Sequence, residues 1–288
     1  MQNYVIITES CCDLPLSMIE EFNVKTIPMS FILDDKEYKQ YSDNRELSLA
    51  DFYTKLRSGL YSKTAAVNLM DTRDVFEEEL KNGKDILYIG FSSALSSNFQ
   101  SVNMVVNELR EDYPDRKIEV IDSLSASIGL GLLVYYGGKS LKNGFSLEDT
   151  KSYIESLVPS VSHSFVVDDL NFLKYGGRIS TTTALAGNLL NVKPILRVSN
   201  LGEVELETKV RGRIKGVKHL MTKFSKNCNN TNIIFIVHTD NIEEAEKLKL
   251  KLEEDYSNSE IHIVEIGPVI GSHLGPGALG IIFFGDER

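Results

Sequence analysis

Residues 86–106, ILYIGFSSALSSNFQSVNMVV, decide the fold class. Ile86, Leu87, Tyr88 and Ile89 form a short apolar run bounded by Asp85 and Gly90, the pattern of a strand buried on both faces of a parallel sheet. Ser92, Ser93, Ser96, Ser97 and Asn98 follow, all good helix-capping types, and Phe99, Val102, Val105, Val106 and Leu109 then recur at helical spacing. The pattern predicts a helix beginning near Ser96. Its first amides would lack partners and carry about half a positive charge, so a carboxylate or phosphate is welcome there, with Ser96 Oγ as a further donor. The same serines would also serve as plain caps, and this stretch alone does not separate the two readings.

Outward from it, strand and helix alternate. Residues 4–8 read as a strand, Asp13 as the cap of a helix that holds Pro15 in its first turn, and residues 26–33 as a second strand before the turn at Asp34 and Asp35. Helices are expected at 49–60 and, capped by Asp71, at 72–82; residues 62–68, including Lys63 and Thr64, read as a short polar loop. Residues 117–121 make another strand, followed by helices to Leu141 and from Ser146 to about Leu157. Such alternation predicts a layered α/β domain with parallel pairing over residues 1–160, whose ligands gather beyond the carboxyl ends of the strands.

The pattern changes over residues 161–288. Strands are expected at 164–167, 233–238, 261–266 and 278–284, a hairpin at 192–198 and 203–210 around Asn200 and Gly202, and helices at 168–174, 180–190, 213–225 and 242–254. Hairpins mixed with helices predict an α+β second domain, and the Asn-rich NCNNTN near 227 reads as a loop.

Composition narrows the function classes. A chain of 288 residues suggests two domains; 42% apolar and 25% charged residues are those of an ordinary globular protein. A formal charge of −10 argues against a general nucleic-acid or anionic-membrane binder, because nothing overall would gain from releasing phosphate counterions. Three cysteines, two of them adjacent at Cys11 and Cys12, make no disulfide framework, and the N-terminal MQNYVIITES lacks the basic start and apolar run of a signal peptide. These features predict a cytoplasmic protein without stable membrane insertion. The five histidines have no spacing that suits zinc, so no metal and no cofactor are expected.

Single motifs carry little by themselves. Gly275–Gly280 spells GxGxxG, but the chain ends eight residues later, with no room for the helix and second strand that give this pattern meaning. His273 lies in GPVIGSHLGPGAL, which reads as an apolar, glycine-rich turn; its glycines permit close backbone approach. Ser96 with His273 suggests a Ser/His acyl hydrolase, oriented by Asp122 or Asp168, although no GxSxG elbow is present. The basic run Lys209, Arg211, Arg213, Lys215 and Lys218 reads either as a solvated face or as a docking patch for an acidic partner.

Taken together, the chain resembles the DegV family along nearly its whole length. The matching pieces are TESCCDLP at 8–15, Lys63 with Thr64, SSALSSNFQS at 92–101, LKYGGRIS at 173–180, NLLNVKPIL at 188–196, KVRG at 209–212 and GPVIGSHLGPGALG at 267–280. The resemblance implies two domains holding one long-chain fatty acid between them. It further implies a non-catalytic subunit that presents the acid to the catalytic subunit of a bacterial fatty acid kinase, which makes the acyl phosphate used in phospholipid synthesis. By the same resemblance Thr64 and Ser96 hold the carboxylate and His273 sits beside it, with Ser93, Ser97 and Arg178 as supporting candidates. Two departures stand out: Ala65, Ala66 and Val67 replace the family's usual Ser-Gln-Pro, and Ser97, Asn98 replace Gly-Thr, which removes polar support around the head-group.

Overall fold

The computed structural model describes residues 3–180 and 191–288. The first half is built on the parallel sheet that the opening stretch predicts. Strands β1 (Tyr4–Glu9), β2 (Lys25–Ile27), β6 (Asp85–Gly90) and β7 (Ile118–Asp122) lie in the order β2-β1-β6-β7, all parallel, with β1 and β6 buried at the centre. Helices α3 (Leu69–Lys81) and α4 (Asn98–Asp112) pack on one face; α5 (Ile128–Lys142) and α6 (Leu147–Leu157) pack on the other. An antiparallel sheet joins them: β3 (Met29–Leu33) passes through the expected turn at Asp34 and Asp35 into β4 (Lys36–Gln40), and on its other side pairs with the two-residue β5 (Lys63–Thr64), which the sequence pattern did not suggest. Thr64 therefore sits in a strand rather than in a loop. Helices α1 (Leu16–Glu21) and α2 (Leu49–Arg57) flank these sheets.

The second half carries a mixed sheet in the order β10-β9-β8-β13-β11-β12, from β8 (Val161–Val166), β9 (Val192–Val198), β10 (Val204–Arg211), β11 (Cys228–His238), β12 (Glu260–Glu265) and β13 (Leu279–Gly285). Among the described residues of this sheet, only β11 and β12 pair in parallel. Helices α8 (Arg213–Asn227) and α9 (Ile242–Asp255) cover its outer face, where Leu220, Phe224, Leu248 and Leu252 meet Ile236 and Phe283 in a second core. Short helices α7 (Asn171–Tyr175) and α10 (Pro268–Leu274) lie on the inner side, packed on each other. The fold class expected from the sequence is the one found: a parallel α/β layer followed by a mixed α+β one.

Helix α5 explains how the halves join. It is apolar nearly all round, as a helix must be when no face meets water. One side packs on β1 and β6, the other on β8 and β13. Glycines make that double contact feasible: a Cβ on Gly131 would stand 2.6 Å from the Cys12 carbonyl oxygen, and one on Gly129 would stand 1.9 Å from His163 Nε2.

Local expectations fail where a tertiary partner claims the residue. Asp13 does not cap α1, whose N-cap is Pro15; its carboxylate faces Gln40, Ser127 and Gly267. Helix α3 is capped by Asn68, whose Oδ1 accepts the Met70 and Asp71 amides, so it begins three residues before the expected position. The segment 228–232, expected as a loop, is strand: β11 begins at Cys228 and pairs irregularly with β13. His273 lies in helix α10 rather than in a turn; Pro268 occupies its first position and Gly275, at φ 68°, ends it. The helix expected over 181–190 lies outside the described residues.

Candidate functional site

A cavity of about 290 Å3 runs between the two halves, at the small end of ligand pockets (roughly 300–1,000 Å3). Its long walls are apolar and come from both sides: Cys11, Met29 and Phe91 from the first half, Phe165, Val269 and Ile282 from the second. Polar groups gather mainly at one end. There Thr64, Ser96, Ser97, Arg178 and His273 line the wall, and Arg178 is the sole permanently charged side chain among the described lining residues. No carboxylate is among the described lining residues.

Each of these side chains is placed by a different device. Thr64 is set by pairing of β5 with Phe31 of β3. Ser96 stands at the turn before α4, which begins at Asn98, two residues later than the pattern suggested; Ser96 Oγ accepts the Asn98 amide at 3.2 Å. A serine hydroxyl that accepts still has its proton to give, so the capping and ligand-binding readings are compatible. Asn98 is fully buried, and its Oδ1 accepts the Val67 amide at 3.0 Å, tying the Ala65–Ala66–Val67 segment to α4. Arg178 is pinned through Nε to the Leu95 carbonyl at 3.0 Å and through Nη1 to the Gly176 carbonyl.

His273 Nε2 lies 3.0 Å from Thr64 Oγ1. The ring is mostly buried, and burial, reinforced by Arg178, pushes its pKa down to about 4, so it is neutral at ordinary pH. Its Nδ1 is buried without a hydrogen-bond partner among the described residues. Which atom donates depends on the imidazole tautomer; with the proton on Nε2, the ring donates to Thr64 Oγ1. That leaves the Thr64 hydroxyl proton available to an acceptor in the cavity. Thr64 and Ser96 thus both line the cavity as hydroxyl groups, with the Arg178 guanidinium in the same lining.

The sequence-derived candidates separate in space. Thr64, Ser96, Ser97, Arg178 and His273 come together, whereas Ser93 does not line the cavity; its amide is held 3.2 Å from Asp122 Oδ1. The hydrolase constellation is not assembled. Ser96 Oγ engages the Asn98 amide, His273 engages Thr64, Asp122 accepts from backbone amides, and Asp168 pairs with Lys193. Of the basic run, Arg213 is consumed by Glu244 and Asp168. Among the described residues no group of three His, Cys, Asp or Glu side chains is placed to hold a metal, and no helix is long and apolar enough to cross a membrane. Sequence reasoning missed Gly176, on which a Cβ would stand 2.0 Å from His273 Nδ1, and His163, a neutral, buried ring in the cavity wall whose pKa burial pushes down to about 3. Neither position carries a local signal; both matter only through a distant neighbour.

The DegV sequence profile, described as an uncharacterised protein family, matches residues 3–286. The chain belongs to the DegV family. A DegV domain-containing protein of Clostridium perfringens is 41% identical to it over 290 residues, covering 100% of this chain and 99% of the relative. Among solved structures, a fatty-acid-binding DegV protein from Thermus thermophilus is similar with a TM-score of 0.88 at 27% identity, covering 99% of this chain and 100% of that one. A stearic-acid-binding protein from Eubacterium ventriosum gives a TM-score of 0.86 at 26% identity, covering 97% of each chain. Both of these similar proteins are fatty-acid binders.

Proposed function

We propose that this DegV protein binds a single long-chain fatty acid in the cavity between its halves, with the carboxylate held by Thr64 and Ser96, His273 beside it, and Arg178 and Ser97 in support. The observation that carries the reading is the chemistry of the cavity: apolar walls from both halves, with the hydroxyls of Thr64, Ser96 and Ser97, a neutral imidazole and one cation in the same lining. Burying about fifteen methylenes contributes up to roughly 12 kcal/mol gross at about 0.8 per methylene, so the tail supplies affinity and the polar end makes the head-group tolerable. Membership in a family with fatty-acid-binding members supports the same conclusion.

The protein has no catalytic role of its own in this reading. It presents the acid to a separate ATP-dependent fatty acid kinase, which forms the acyl phosphate, in the cytoplasm. The support for that step is the resemblance in sequence, together with the unassembled Ser/His constellation. Native mass spectrometry of freshly purified protein is the test. A bound acid of a few hundred daltons that organic extraction removes is expected, and stripped protein that refuses both palmitate and oleate would sink the reading.

A further inference from the structure

Helix α10 carries His273 to the cavity, yet the side chains that fix its start come from the other half of the chain. Asp13 Oδ1 accepts the Gly267 amide at 3.1 Å and also Gln40 Nε2 at 3.1 Å. Gln40 Oε1 accepts the Val269 amide at 2.8 Å, and Tyr53 donates its hydroxyl to the Ile266 carbonyl at 2.6 Å. Gln40 Nε2 donates as well to the Ser10 carbonyl, and Asp13 Oδ2 accepts from Ser127 Oγ at 2.5 Å, so these two side chains are themselves braced. The fit is close. A Cβ on Gly267 would stand 2.3 Å from Gln40 Nε2, and one on Gly271 would stand 2.5 Å from Tyr53 Oη.

We propose that Asp13, Gln40 and Tyr53 form a clamp that sets His273 against Thr64, making them positioning residues of the head-group site. Val269 and His273 are four residues apart, one helical turn, so they share a face of α10. Holding the Val269 amide and the Ile266 carbonyl therefore fixes both the height and the rotation at which the imidazole is delivered. None of the three clamp residues lines the cavity, so an effect of Gln40 or Tyr53 on a ligand passes through the segment Ile266–His273 that they hold. This inference rests on the reading of Thr64 and His273 as the carboxylate site.

The test uses the full-length protein with Gln40→Leu and Tyr53→Phe, each made in the parent and in a His273→Ala background. Two quantities are read: the imidazole 15N resonances of His273 without ligand, and the affinity for palmitate. We expect Gln40→Leu to move the His273 resonances and to weaken palmitate binding about five- to tenfold. Tyr53→Phe should act the same way more weakly, and neither should cost further affinity once His273 is alanine, since the pair then has nothing left to position. Unmoved His273 resonances in either folded variant, or an equal loss of affinity in both backgrounds, would overturn the clamp. Tyr53→Phe keeps its ring in place, so it decides the matter if Gln40→Leu does not fold. Should the parent bind no palmitate, the fatty-acid reading falls, and the His273 resonances alone decide the clamp.

Discussion

His273 and Thr64, 209 positions apart in the chain, meet at 3.0 Å across the seam between the two halves. The contact closes one end of the cavity with groups that are polar but uncharged, and it commits the imidazole to a hydroxyl rather than to a nucleophilic serine.

If the hydroxyls serve the head-group and the walls serve the tail, the two functions separate by mutation. Thr64→Ala combined with Ser96→Ala should reduce acyl phosphate formation by the kinase far more than it reduces retention of palmitate, because most affinity comes from buried methylenes. Phosphotransfer and retention measured on one preparation check this. Equal values for variant and parent in both assays would refute the assignment of the two hydroxyls.

The depressed basicity of His273 has a defined sign. As pH falls, the unfolded chain takes up this proton near the ordinary value of about 6.5, whereas the native chain does so only near 4. Between those values the unfolded state binds more protons, so the native state loses up to about 3 kcal/mol from this one ring as pH falls. His163, held near 3 by burial, acts in the same sense. Glu9 and Asp13, both raised to about 7 by burial, act in the opposite one, because their native carboxyls take up protons first and stabilise the fold as pH falls from 7 to 4. A His273→Asn variant isolates the imidazole: its stability should drop less than the parent's between pH 7 and 5 in urea titrations, and in the parent the His273 ring should show no NMR titration above pH 5.

Gly176 has an ordinary backbone, φ −73°, so alanine is conformationally permitted there. The obstacle is the imidazole, 2.0 Å from where the new methyl would lie. Gly176→Ala should therefore destabilise the protein by about 1–3 kcal/mol and displace His273 from Thr64. Thermal unfolding and the His273 resonances report the two effects. A variant as stable as the parent with unmoved resonances would show that the ring is not confined from that side.

Asn68 caps α3 with two bonds, to Met70 and Asp71. Asn68→Ala should cost about 1 kcal/mol in equilibrium unfolding, and Asn68→Asp or Asn68→Ser should restore most of it. An alanine variant with parental stability would mean that the helix end finds other partners.

The sequence by itself determined the layer architecture. The apolar run at Ile86–Ile89, the alternation of strand and helix, and the hairpin around Asn200 and Gly202 rest on periodicities of two and 3.6 residues and on turn chemistry, all local and therefore readable in one dimension. Family-like motifs also picked out Thr64, Ser96 and His273. The tertiary structure decided what those residues do to one another. Asp13 was a fair helix cap by local chemistry, but burial next to Gln40, Ser127 and Gly267 offered its carboxylate three donors at once. His273 became a helical residue beside Thr64, and Gly176 came to lie against its ring, through contacts across about a hundred residues or more of chain. Sequence spacing encodes faces of single elements; which faces then meet is fixed by packing two cores against the shared helix α5, and no local pattern carries that.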